Sequence, residues 1–299
     1  MTHPTTGEST IPGPIGKTKE FLGMIKFEHT IFALPFAYMT LFLVEDGWPR
    51  GSVFWWITVA MVTGRTFGMA ANRLIDARID ARNPRTRNRA LPAGRIAAVE
   101  VGVFMAISLA LFLVAVYRLS PWAGRLWPIA IVAMGFYPYT KRFTWLSHFA
   151  LGFVYVMVPA AVWIAVENTL PSEALFLGLG AGCWVAGFDI IYACQDVEVD
   201  RREGLHSMPA DIGVGASLRT ARVFHVLFVA ALVLAGVGLG AGFLYYAGLA
   251  IAGILLVYEH RLISPADLSK VNVAFFTANG VVSIVLFLLA AADTVVGRA

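Results

Sequence analysis

Nine mostly apolar stretches, near 30–45, 52–75, 97–117, 125–140, 145–166, 173–195, 219–238, 241–258 and 271–292, limit what this chain can fold into. About 20 apolar residues let an α-helix cross the hydrocarbon layer of a bilayer. In lipid the backbone must satisfy its own polar groups, so each stretch reads as a helix. With 58% apolar and 14% charged residues in a chain of 299, there is too little polar surface for a soluble globule. The expected fold is all-α: a polytopic membrane protein with nine transmembrane helices. The first and fourth stretches are short, and only a Gly-rich break at Gly238–Gly242 separates the seventh from the eighth. Eight or ten crossings are the alternatives.

Basic residues set the expected orientation. With nine crossings, Lys17, Lys19, Lys26, the Arg78–Arg95 loop, Lys141, Arg142, Arg201, Arg202, Arg219, Arg222, Arg261 and Lys270 share one side. The other side has Arg50, Arg118, Arg125 and Arg298. The N-terminus and the richer loops are therefore expected in the cytoplasm. This asymmetry accounts for the net charge of +4 without a nucleic-acid partner. Residues 1–16 have no hydrophobic core and read as a flexible tail without a cleavable signal. Residues 17–299 then form a single membrane-embedded domain, opening with an amphipathic interfacial segment at 17–28. Cys183 and Cys194, on one helix about 16 Å apart along its axis, read as small buried hydrophobes rather than a disulfide or metal pair.

Two acid stripes stand out at the boundary between apolar helix and basic loop. NRLIDARID begins at Asn72 and YACQDVEVD at Tyr192, and one shift of 120 residues carries Asn72, Asp76 and Asp80 onto Tyr192, Asp196 and Asp200. The same shift carries Lys141 to Arg261. This is the mark of a repeated half, two four-helix units plus one further helix. Positions four apart lie on one helical face, so Asn72, Asp76 and Asp80 are expected in line, with Arg65 deeper. Asp189, Tyr192 or Gln195, Asp196 and Asp200 are expected to share a second such face. Carboxylates beside lipid are costly without a compensating cation or ligand. A single D-x-x-x-D is ordinarily a solvated turn; two at one offset on one membrane side point to a site.

Hard divalent cations take oxygen ligands, and Mg²⁺ in particular is held by one or two carboxylates together with phosphate oxygens. Two facing D-x-x-x-D helices therefore suit Mg²⁺ and a diphosphate. The loop between Arg78 and Arg95 carries six arginines in eighteen residues, including Arg85 and Arg89, and the guanidinium fork suits phosphate. YPYTKR adds Tyr137, Tyr139, Lys141 and Arg142. No Cys/His zinc spacing or Walker-type loop occurs.

Taken together these motifs resemble the UbiA superfamily of intramembrane prenyltransferases, over roughly residues 20–292. N-x-x-x-D-x-x-x-D is matched by Asn72, Asp76 and Asp80, and D-x-x-x-D by Asp196 and Asp200. Arg65, the R-T-x-x-R at Arg85 and Arg89, Y-x-x-x-K at Tyr137 and Lys141, and Asp189 in G-F-D-x-x-Y extend the resemblance. KFEHTIFALPFAY, GFDIIYACQDVEVD and YEHRLISPADLSKVNVAFFTANG are similar to the menaquinone prenyltransferases of the futalosine route (MqnP-like), often grouped with 4-hydroxybenzoate polyprenyltransferases. Asn72-Arg73 and Arg89-Ala90-Leu91-Pro92 depart from the usual N-D and R-P-L-P of the ubiquinone-type enzymes.

The resemblance implies a nine-helix enzyme of the prokaryotic plasma membrane. It would transfer a polyprenyl group from a polyprenyl diphosphate to an aromatic acid, of 4-hydroxybenzoate or 1,4-dihydroxy-6-naphthoate type, in menaquinone or ubiquinone biosynthesis. The expected Mg²⁺ ligands are Asn72, Asp76, Asp80, Asp196 and Asp200. Arg65, Arg85, Arg89, Lys141 and Arg142 are expected at the diphosphate, with Arg65 also suited to the acceptor's carboxylate. Tyr137, Tyr139 or Tyr192 would face the allylic cation, and Asp189 would orient the acceptor or take its proton. No obligate protein partner is expected. The rival reading is a secondary transporter with buried acidic coupling sites. Transporter repeats are frequently inverted, whereas a four-helix offset keeps both halves in the same orientation.

Overall fold

The computed structural model describes residues 14–25 and 30–297. Most of the expected tail, residues 26–28 of the interfacial segment and His29 lie outside the described residues. Thirteen α-helices follow in order: α1 Pro14–Met24, α2 Thr30–Glu45, α3 Gly51–Arg82, α4 Ala98–Leu119, α5 Ala123–Thr140, α6 Ser147–Glu167, α7 Ser172–Ala193, α8 Val197–Glu203, α9 Met208–Ile212, α10 Val214–Leu239, α11 Phe243–Arg261, α12 Val271–Val273 and α13 Asn279–Val296. A π-helical turn, Ala274–Ala278, joins the last two.

Each expected apolar stretch corresponds to one long helix. Six of these are long and apolar enough to cross a membrane: α4, α6, α7, α10, α11 and the continuous Val271–Val296. Of the others, α2 is 16 residues long and α5 is an 18-residue helix containing Pro128 and Pro138. The third, α3, is 32 residues long and carries Arg65, Arg73, Asp76 and Asp80. At 1.5 Å per residue it is about 48 Å long, well beyond a hydrocarbon layer of about 30 Å. Its acidic end therefore projects past the apolar layer. The Gly-rich break near Gly238 is a true helix end: Gly240 adopts φ +62° after α10, and the α11 N-terminus is capped from α13. Asp293 accepts from the N–H groups of Gly242, Leu244 and Tyr245 at 2.7, 3.0 and 3.2 Å, satisfying donors a helix start leaves open.

The shift of 120 residues now maps helix onto helix: α2 onto α6, α3 onto α7 and α8, α4 onto α10, α5 onto α11, and α6 onto α12–α13. One difference bears on the site. The first acid stripe sits on unbroken α3, but its counterpart is interrupted after Ala193, and Asp196 stands at the position just before the short α8. The continuous second stripe expected from Asp189 to Asp200 is thus divided between two helices. Helix α1 docks on protein: Phe21, Met24 and Ile25 pack with Ala70, Ile96 and Val101, while Lys17–Glu100 and Arg95–Glu20 ion pairs flank the contact.

Helix α7 is the centre of the bundle. Trp184 lies among Phe36 of α2, Phe188 and Phe228 of α10. Small residues bring α7 close to α6, where a methyl group on Gly178 would lie 2.6 Å from the carbonyl oxygen of Val156. The Gly178/Gly182 spacing is that of close helix contacts in membranes, where packing rather than water expulsion drives association. Gly178→Ala should therefore lower the melting temperature in detergent, at a cost of about 1–3 kcal/mol for overpacking. Gly253→Ala, where the added methyl meets nothing within 4 Å, should leave it unchanged or slightly raised.

Candidate active site

At the acid-bearing end of α3 a cavity of about 320 Å³ opens between the two halves. Arg65, Asn72, Arg89, Tyr137 and Lys141 from the first half line it, facing Asp189, Tyr192, Asp196 and Asp200 from the second. Asp76 and Asp80 do not line it. They are 2% and 7% exposed, and the cations they hold stand at the cavity in their place. Lys141 Nζ donates to Asp76 Oδ2 at 2.5 Å, and Arg142 Nη2 to the Ile75 carbonyl at 2.8 Å and to Asp76 Oδ1 at 3.4 Å. Arg89 Nη1 bonds both oxygens of Asp80, at 2.8 and 2.7 Å.

The 83–95 loop ties the halves together. Arg85 forms an ion pair with Asp196 and donates to the Tyr192 hydroxyl at 2.8 Å; Asn83 Nδ2 donates to Asp196 Oδ1 at 3.1 Å. On the rim, Arg82 meets Glu203 at 3.0 Å. Asp200 accepts from the Ser207 hydroxyl at 2.7 Å. Burial raises the Asp200 carboxyl above the ordinary carboxylate value, against the pull of that hydrogen bond.

Deeper in the bundle, Arg65 Nη1 reaches the Ile25 carbonyl at 3.4 Å and Arg73 Nε the Met24 carbonyl at 3.2 Å. Both arginines thereby neutralise the carbonyl end of α1. Among the described residues Arg65 Nε has no hydrogen-bond partner, and its side chain lines both the polar cavity and an apolar one of about 170 Å³ beyond it. That apolar space continues into another of about 210 Å³, the two sharing Ala60, Met61, Phe112 and Ala130. Between Asn72 and Ile57 the cavities follow α3 for about 22 Å. Tyr139 is turned outward, 44% exposed, under the Arg142 guanidinium at 4.9 Å.

Among the described residues no three His, Cys, Asp or Glu side chains form a ready-made metal cage. Of the expected ligands, Asn72, Asp196 and Asp200 line the cavity and each offers an oxygen, which suits Mg²⁺. That ion keeps waters and phosphate oxygens and needs only one or two protein carboxylates.

Several site residues were not picked out from the sequence. His148 bonds Asp189, Ser207 bonds Asp200, Tyr155 lines both cavities, and Phe275 packs at a tilt against Tyr192 with ring centroids 4.3 Å apart. Phe275 owes its place to the π-turn, which Asn279 holds. Asn279 Nδ2 donates to the Ala274 and Phe275 carbonyls and to Glu259, while its Oδ1 accepts from Trp184 Nε1 at 2.7 Å. Glu259 and Asn279 interrupt apolar stretches, and buried polar groups there need partners. That interruption is the signal that marks them. Asn279→Ala leaves the Trp184 N–H and Glu259 without this partner and should cost about 1–3 kcal/mol, read as a lower melting temperature. Glu259→Gln keeps an acceptor for Asn279 and should lower it less.

A family model described as "UbiA prenyltransferase family" matches residues 33–281. The chain is 27% identical over 280 residues to a 4-hydroxybenzoate octaprenyltransferase of Aliivibrio fischeri, covering 93% of this chain and 97% of that one. A Shewanella piezotolerans protein of the same name is 29% identical over 243 residues, covering 81% and 84%. Among solved structures, the apo form of a UbiA homolog from Aeropyrum pernix superposes with a TM-score of 0.81 at 30% identity, covering 89% and 98%. A UbiA homolog from Archaeoglobus fulgidus bound to GPP and Mg²⁺ shares the fold at 17% identity, with a TM-score of 0.68 over 92% and 99%.

Proposed function

Because this chain belongs to the UbiA prenyltransferase family, we propose that it transfers a polyprenyl group from a polyprenyl diphosphate to an aromatic acid during respiratory quinone biosynthesis. The observation that carries this reading is the two-part cavity: a charged chamber between the halves, continuous through Arg65, Tyr137 and Tyr155 with an apolar passage into the bundle. A diphosphate fits the first part and an isoprenoid tail the second. The acceptor is of 4-hydroxybenzoate or 1,4-dihydroxy-6-naphthoate type. The active-site end faces the cytoplasm, in keeping with the basic loops there.

Asn72, Asp76, Asp80, Asp196 and Asp200 would hold Mg²⁺, the first-half acids after exchanging Lys141 and Arg89 for the ion. When bound, Mg²⁺ supplies positive charge to the diphosphate oxygens. Arg89 and Lys141, freed or shared, turn toward those oxygens, and Arg85 and Arg142 hold the surrounding acids in register. As the allylic C–O bond breaks, its electron pair leaves with the diphosphate, and these preorganised cations stabilise that charge. Tyr137 and Tyr192 offer ring faces to the allylic cation, and the apolar lining of the passage disfavours water beside it. Arg65 takes the acceptor's carboxylate, since its Nε is uncommitted. The acceptor ring carbon then bonds to the allylic carbon, and the ring proton passes to Asp189.

The test is purified protein with Mg²⁺, a polyprenyl diphosphate and either acceptor, with products identified by mass spectrometry. Asp76→Ala and Asp196→Ala should each lower kcat by 10²–10³-fold or more, on the order of a lost electrostatic anchor, while still inserting in membranes. Full activity in both variants would remove the metal-site reading. Asp200 binds metal only as the carboxylate, and Ser207 opposes the rise that burial causes. Ser207→Ala should therefore move the acid limb of the pH–activity profile to higher pH, with Asp196 and Lys141 the charged neighbours left in place.

A further inference from the structure

We propose that His148 is the positioning residue that holds Asp189 as proton acceptor, and that the segment His206–Met208 sets its tautomer and ties it to the diphosphate-binding acids. The inference rests on the prenyl-transfer reading above. His148 belongs to no sequence motif of the site, yet it is 4% exposed at the start of α6. Its Nδ1 lies 2.7 Å from Asp189 Oδ2. On the opposite edge of the ring, the backbone N–H of Met208 points at Nε2 from 3.2 Å. A backbone N–H only donates, so Nε2 must accept, and the ring proton lies on Nδ1, where it donates to Asp189. One Asp189 oxygen is committed to His148. The side chain remains part exposed at the cavity, which leaves its other oxygen for the substrate.

Three consecutive residues make the connection. His206 N donates to the Lys141 carbonyl at 2.7 Å, Ser207 Oγ to Asp200 Oδ2 at 2.7 Å, and Met208 N to His148. One short strap thus registers the end of α5 that carries Lys141, the acid Asp200, and the group that receives the proton. In the transfer, the new bond joins the allylic carbon to a ring carbon, and the C–O bond electrons depart with diphosphate. The electrons of the ring C–H bond restore aromaticity while its proton goes to the free oxygen of Asp189. A carboxylate free to rotate would lose that alignment, since proton transfer needs hydrogen-bond reach.

The experiment compares His148→Asn with His148→Gln in the full chain, using Mg²⁺, a polyprenyl diphosphate and whichever acceptor the wild type prenylates. Asparagine retains an N–H donor near the Nδ1 position; glutamine reaches only the Nε2 position. His148→Gln should lower kcat about 100-fold and His148→Asn less than about tenfold, within the range general-base alignment contributes. The KM for the diphosphate and its release in the absence of acceptor should not change. In an Asp189→Asn background, His148→Gln should have no further effect. Measured against Met208→Ala, which also truncates this buried side chain but keeps the N–H, Met208→Pro gives an independent check, since proline is tolerated at the first position of α9. It too should lower kcat without altering the Mg²⁺ requirement. Equal losses in the two His148 variants, a parallel rise in both KM values, or an unchanged kcat in Met208→Pro would overturn the assignment. Absence of transfer by the wild-type chain would instead overturn the functional reading on which it rests.

Discussion

Carboxylates next to lipid must be compensated, and the ion pairs that compensate them organise the polar end of this protein. Asp76 is satisfied by Lys141 and Arg142 from the end of α5, Asp80 by Arg89, and Asp196 by Arg85. The Asp76 and Asp196 pairs join elements far apart in sequence, and the Asp80–Arg89 pair folds the Arg-rich loop back onto α3. The Arg-rich loop after α3 is thereby drawn across the cavity onto α7 and α8. Isolated buried pairs of this kind are weak sources of stability, because desolvation offsets attraction. Their value here is geometric: they store acids and cations side by side, as the proposed reaction requires.

The same economy of partners shapes the rest of the bundle. Asp293 caps α11, Asn279 holds the π-turn, and Arg65 and Arg73 take the open carbonyls of α1. Between these polar anchors, packing is set by small residues on α7, which let α6 approach until glycine backbone meets backbone. Helix α7 is therefore both the structural axis and the carrier of Asp189 and Tyr192. A central helix confined on several sides is a rigid support for the two side chains on which the proposed reaction depends.

The repeat of 120 residues governs the helices more evenly than the site. Helix positions correspond throughout, but the acids diverge: those of α3 are buried on an unbroken helix, whereas Asp196 and Asp200 follow a break and line the cavity. An interrupted helix brings a short, adjustable segment to the site, while the continuous one holds its acids in fixed register. Two similar sequence stripes thus present different surfaces.

Apolar length, basic asymmetry and the paired acids were enough to read off an all-α membrane protein, its helix positions and the residues gathered at one end. Those signals are local: burying a helix in lipid depends on its own composition, and i to i+4 spacing sets its own face. His148, Ser207 and Phe275 were not legible in the same way, because each matters through a partner brought from another helix or loop. The arrest of the second stripe at Ala193, the storage of Asp76 and Asp80 behind their cations, and the tautomer imposed by Met208 likewise arise only when distant segments meet. Sequence sets which groups cannot remain uncompensated; tertiary packing chooses their partners, since hydrogen bonds and ion pairs form only at contact distance.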